Sequence, residues 1–148
     1  MSHKTWHNYG YGICTDKIVT TPERIEKLLA LAPQYRAMLH AHFADCEIDE
    51  PTVEDYTDFA GQFDGDSYCD MASLLKAVIE ETEGIELIAC DDYDCRNYLI
   101  YPPRYPWQIT DADKEMTEEK LRLLYAKYVN ILTDDVLDVD YQSVENGG

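Results

Sequence analysis

The sequence predicts an α+β domain: a three- or four-stranded, mainly antiparallel sheet with helices packed on one face. Three observations point there. Residues 9–14 alternate with a period of two, the chain from Pro22 onward recurs at helical spacing, and later apolar stretches return to strand character. The order reads strand, helices, strand, strand, helix, strand. A split β-α-β topology, ferredoxin-like with inserted helices, satisfies that order.

In the opening strand Tyr9, Tyr11 and Ile13 face one way, and Gly10, Gly12 and Cys14 the other. A glycine face lets another backbone or a helix come close. Thr20-Thr21-Pro22-Glu23 starts a helix, with threonine as the cap and proline in the first turn. Ile25, Leu28, Leu29, Ala32, Tyr35, Met38, Leu39 and Phe43 follow at helical spacing. Pro33 divides that run into a kinked helix or two abutting ones. Thr52 and Asp55 can cap a short helix whose apolar side is Val53, Tyr56, Phe59 and Phe63. Ser67 and Asp70 open another, which carries Met71, Leu74, Leu75, Val78 and Ile79 and ends near Gly84. Residues 85–90 and 97–101 read as paired strands joined by an acidic loop. The prolines from Pro102 to Trp107 require an extended segment. Thr117 starts the last helix, with Leu121, Leu124, Tyr125, Tyr128, Val129 and Leu132 toward the core. Residues 136–144 close the sheet, with Leu137, Val139 and Tyr141 on one face.

Residues 1–148 form one domain, long enough to bury a core that needs neither disulfide nor metal. Tyrosine, at 12 residues, suits half-buried sheet faces and contact surfaces, because its ring buries while its hydroxyl stays wet. No apolar run approaches a membrane span, and the N-terminus lacks the apolar centre of a signal peptide. The five cysteines, Cys14, Cys46, Cys69, Cys90 and Cys95, are odd in number and scattered. They read as reduced thiols of a soluble cytoplasmic protein.

The motifs that announce catalysis are absent. Gly10-Tyr11-Gly12 lacks the third glycine of a dinucleotide fingerprint, and neither a P-loop nor a nucleophile elbow occurs. His40 and His42 are two apart on a presumed helix, so they point in different directions and read as structural. His3 and His7, near the N-terminus, offer at most adventitious metal contacts. Cys90 and Cys95 lack further zinc ligands at short spacing. Asp91, Asp92 and Asp94 could face a hard cation, but Arg96 stands where an EF-hand loop needs glycine. No catalytic residue, metal site or cofactor is therefore assigned.

The charge is more informative. Thirty acidic against 12 basic residues give a net charge of −18, which repels nucleic acid and anionic membrane and attracts a basic protein. Ten acids lie between Asp45 and Asp70 with no lysine or arginine among them. After Lys127 the chain is again purely acidic. Carboxylates spread over a folded surface can imitate the spacing of phosphates, and Tyr56, Phe59, Phe63 and Tyr68 between them can imitate stacked bases. The candidate partner-binding residues are Glu47, Asp49, Glu50, Glu54, Asp55, Asp58, Asp64 and Asp66. The same run is also what a merely solvated acidic face would look like.

The stretches Thr5 to Ile13, Asp91 to Asp94, Arg96-Asn97-Tyr98, Tyr105-Pro106-Trp107, Lys127-Tyr128-Val129 and Tyr141 to Gly148 resemble small acidic accessory proteins. These are encoded by phages and integrative mobile elements of Firmicutes. The resemblance implies an accessory protein of a mobile element and carries no catalytic residue with it. Such elements often encode inhibitors of host defence, some of them acidic DNA mimics, which is an argument by association. The expectation is a non-enzymatic binding protein that occupies a basic site on a nuclease or other nucleic-acid-binding protein. Two alternatives stand beside it: a small enzyme or ligand-binding domain with a pocket near residues 91–107, and a structural or assembly component of the element.

Overall fold

In a computed structural model, which describes residues 5–63, 70–92, 94–102 and 116–147 and the side chains of 9–144 among them, the sheet is built around its first strand. This strand, β1 (Thr5–Cys14), pairs antiparallel with β3 (Asn97–Tyr101) on one side and β4 (Asp140–Gly147) on the other. The short β2 (Ile88–Asp91) pairs antiparallel with β3, so the order is β2-β3-β1-β4. Helices connect β1 to β2 and β3 to β4, which is the split β-α-β arrangement expected from the element order.

Gly10 and Gly12 explain why β1 can be the central strand. A Cβ on Gly10 would lie 2.1 Å from the carbonyl oxygen of Tyr101, and one on Gly12 would lie 2.1 Å from that of Leu99. The glycine face therefore meets the β3 backbone. Gly10 also has φ +150°, a conformation that side chains disfavour.

Among the described residues there are five helices, and the first three and the last begin where the sequence reading placed their starts. Thr21 caps α1 (Pro22–Leu29) by accepting from the Arg24 N–H. Pro33 opens a separate helix, α2 (Pro33–Asp45), so the run divides into two abutting helices. The N-terminus of α2 has no cap of its own. The Glu81 carboxylate accepts from the N–H groups of Gln34 and Tyr35 at 3.1 and 2.8 Å instead. Thr52 and Asp55 form a reciprocal capping box at the start of α3 (Val53–Phe63). Helix α4 (Asp70–Glu83) ends at Gly84, whose φ of +70° suits a glycine C-cap. Thr117 caps α5 (Glu118–Leu132) through the Lys120 N–H.

Helices α4 and α5 lie against the sheet, and α1, α2 and α3 pack on them from outside. The core between these layers includes Ile13 and Leu99 from the sheet, and Leu28, Leu39, Leu74, Ile79 and Tyr128 from the helices. The opposite sheet face also buries apolar groups: Ile100, Val144 and Cys90 form a second cluster with Ile88 and Tyr98. No helix among the described residues is long and apolar enough to cross a membrane.

Besides the earlier start of β1 at Thr5 and the later end of β4 at Gly147, four details differ from the sequence reading. Strand β2 starts at Ile88, because the Leu87 N–H is taken by the Glu80 carboxylate at 2.9 Å and not by a neighbouring strand. Strand β4 starts at Asp140, since Leu137 and Val139 pack against the helical core before pairing begins. Met38 is half exposed although it falls on the apolar stripe of α2. Helix α3 buries Tyr56, Thr57, Ala60 and Gly61, and leaves Phe63 exposed. Its small residues allow α4 to approach, and that contact sets its rotation. The cap at Ser67 and the extended segment beyond Pro102 lie outside the described residues.

Candidate functional site

The acidic run begins where α2 ends and continues along α3, in the layer farthest from the sheet. Glu47 sits in the turn after α2 with φ 57°, a left-handed conformation that glycine would hold at less cost. Asp49 and Glu50 follow on the loop, and Glu54 and Asp58 lie one turn apart on the outer side of α3. All five are exposed, and among the described residues their carboxylates make no hydrogen bond or ion pair.

Asp55 is different. Its carboxylate accepts from the N–H and hydroxyl of Thr52 at 2.8 and 3.1 Å, so it is committed to the helix cap. Asp64 and Asp66 lie outside the described residues, as does Tyr68. The aromatics inside the run do not offer themselves as stacked-base mimics. Tyr56 is 3% exposed, and Phe59 is half buried against His42 and Tyr35. Phe63 alone of the described three is well exposed.

Elsewhere many carboxylates are spent on structure. Glu81 caps α2, Glu80 holds the Leu87 N–H, and Glu83 accepts from the Tyr128 hydroxyl at 2.6 Å. Asp16 accepts from the Asn97 N–H, and Asp134 pairs with Arg24 at 2.7 Å. Asp92 organises the 91–96 loop: it accepts from the N–H groups of Asp94 and Arg96, from the Arg96 guanidinium and from the Tyr98 hydroxyl. Burial opposes its ionisation, but these donors win and its pKa lies below the ordinary aspartate value. Arg96 thus supplies the positive charge in that loop. Among the described residues no group of three histidine, cysteine or acidic side chains is placed to hold a metal ion. Cys14, Cys46, Cys90 and Cys95 form no disulfide, and Cys69 lies outside the described residues.

The unspent carboxylates also sit close to one another. The Asp70 carboxyl has its pKa raised, first by burial and then by the charges of Asp58 and Glu54. The free protein therefore holds three like charges together across the start of α3 and α4.

Beside this surface runs a groove of about 400 Å³ lined by Glu26, His40, Phe43, Ala44, Ile48, Asp49, Pro51 and Tyr56. Glu26 of α1 is part of its lining. It accepts from His40 Nε2 at 2.7 Å, from the Tyr56 hydroxyl at 2.8 Å and from Arg36 Nε at 3.2 Å. Burial opposes its charge, and these three donors more than offset burial, so its pKa is lowered and it stays ionised. Burial and the bond to Glu26 push the Tyr56 phenol up, so it stays protonated. His40 and His42 do point apart: His40 turns to Glu26, and His42 lies against Phe59 with the Cys46 sulfur 3.8 Å from its Nε2.

No family model, no curated protein and no solved structure matches this chain. The reading of the site rests on its own residues.

Sequence reasoning missed the groove. Its polar centre joins residues from three helices, and the one local sign is a glutamate next to the buried Ile25 on α1. Chemically the groove offers an ionised carboxylate, a histidine whose Nε2 is engaged, a free carboxylate at Asp49 and apolar walls. Those features suit a cation with an apolar stem. Of the alternative pocket near residues 91–107, residues 93 and 103–107 lie outside those described.

Proposed function

We propose that this chain is a non-enzymatic acidic binding protein of a mobile element, and that its α2–α3 surface occupies the nucleic-acid-binding site of a basic protein. One observation carries the reading: many acids elsewhere serve caps and ion pairs, while Glu47, Asp49, Glu50, Glu54 and Asp58 form one run along the chain that is exposed and, among the described residues, without side-chain partners. Repulsion within the run is felt at Asp70, whose carboxyl is raised first by burial and then by the charges of Asp58 and Glu54. A basic partner relieves that repulsion, and summed charge steers its approach. The acids carry the mimicry of phosphates, because among the described aromatics of the run Tyr56 is buried and Phe59 is half buried. A bacterial defence nuclease or CRISPR effector is the partner class to test first.

The test is capture from a Firmicutes lysate with two baits: the wild-type chain, and a variant carrying Glu50→Gln, Glu54→Gln and Asp58→Asn. The expected result is a basic nucleic-acid-binding protein held by the wild type, released by duplex DNA and lost with the variant. Identical captures by both baits would contradict the proposal.

A further inference from the structure

We infer that the groove between α1, α2 and α3 seats one arginine side chain of the basic partner, as the anchor of the acidic surface. This rests on the binding reading above and names the contact on which it turns. The volume of about 400 Å³ falls within the range of small-ligand sites. Phe43, Ala44, Ile48 and Pro51 give walls against which an aliphatic stem loses water. Asp49 stands on the lining, exposed and without a hydrogen bond or ion pair among the described residues. Glu26 adds a fixed negative charge, but its oxygens are already met by His40, Tyr56 and Arg36. Asp49 is therefore the carboxylate open to a newcomer, and because Arg36 already offsets the Glu26 charge, the negative field comes from Asp49 and the neighbouring open acids.

Arginine fits better than lysine. Its guanidinium is weakly hydrated and lies against apolar and ring surfaces, while it still meets a carboxylate with two donors. An ammonium is strongly hydrated and is better served by the open acids of α3. An anion is disfavoured by the open carboxylate of Asp49 and by the overall charge.

The experiment is amide NMR of the full chain, titrated with N-acetyl-arginine amide. N-acetyl-citrulline amide, equal in shape and neutral, and N-acetyl-lysine amide serve as comparators. Saturable millimolar shifts at Ala44, Ile48 and Asp49 are expected with arginine, weaker ones with lysine and none with citrulline. Asp49→Asn should weaken arginine binding by about fivefold, the scale of one exposed ion pair, while Asp138→Asn leaves it unchanged. The spectrum of each variant reports that it is folded. Shifts spread over the whole acidic surface, or binding unaltered by Asp49→Asn, would overturn the inference. A short oligo-arginine peptide separates the two levels. If it binds through Glu50, Glu54 and Asp58 but not through Asp49, the groove inference falls alone. If it does not bind, the function proposal falls with it.

Discussion

Carboxylates in this chain divide by what their oxygens touch. Glu26 and Asp92 each collect several donors, and their pKa values fall below the ordinary range even though burial works against them. Asp70 has the opposite balance, with burial and the charges of Asp58 and Glu54 raising it. The linkage signs differ accordingly. The stability that Glu26 contributes is present above its unfolded pKa and is lost as pH falls through the lower folded value. The contribution of Asp70 is present below its unfolded pKa and is lost as pH rises through the higher folded value. Removing the charge of Asp58 should therefore bring the Asp70 pKa back toward the ordinary aspartate value, a shift that carboxyl NMR titration reads directly. The same Asp58→Asn variant should melt slightly higher at neutral pH, by about 1–3 °C after allowance for solvent screening, and the gain should vanish in acid. An Asp70 titration that ignores position 58 would break the coupling described above.

At the scale of elements, what is local in sequence was legible. The caps at Thr21, Thr52 and Thr117, the division at Pro33 and the end at Gly84 depend on neighbours within one turn, and each stands where the spacing put it. The alternation of Tyr9, Tyr11 and Ile13 with two glycines marked β1, and the glycines do meet the backbone of β3. What depends on distant partners was not legible. The late starts of β2 and β4, the rotation of α3 and the Glu26 network are set by residues far along the chain. For the candidate site, the acids themselves could be read, but not that Asp55 is a cap or that Tyr56 is core. Two glycines provide a test at this scale. Gly10→Ala meets both an unfavourable φ and the Tyr101 carbonyl, and should cost about 3 kcal/mol or more. Gly84→Ala has open space and bears only the left-handed cost of about 1 kcal/mol. Denaturant melts should rank them in that order. Equal losses would mean that the close approach of β1 and β3 does not govern the first.

For the whole molecule, the −18 charge sets what it can meet. Duplex DNA should give no mobility shift even at low salt, because phosphates and this surface repel. Melts with and without reductant should coincide, since the described cysteines form no disulfide. Neither result separates a recognition surface from general acidity, since charge alone explains the first and the second does not depend on it. The separating measurement is binding of a short oligo-arginine peptide to two variants of equal charge change, at two salt concentrations. One carries Glu50→Gln, Glu54→Gln and Asp58→Asn. The other carries Glu119→Gln, Asp135→Asn and Asp138→Asn, exposed acids outside the run. If the α2–α3 face is the recognition surface, the first set weakens low-salt affinity by about tenfold or more and flattens the salt dependence, while the second changes it less than about threefold. Equal losses in two folded variants would contradict the account, and would make the acidity of this chain a diffuse solvated field.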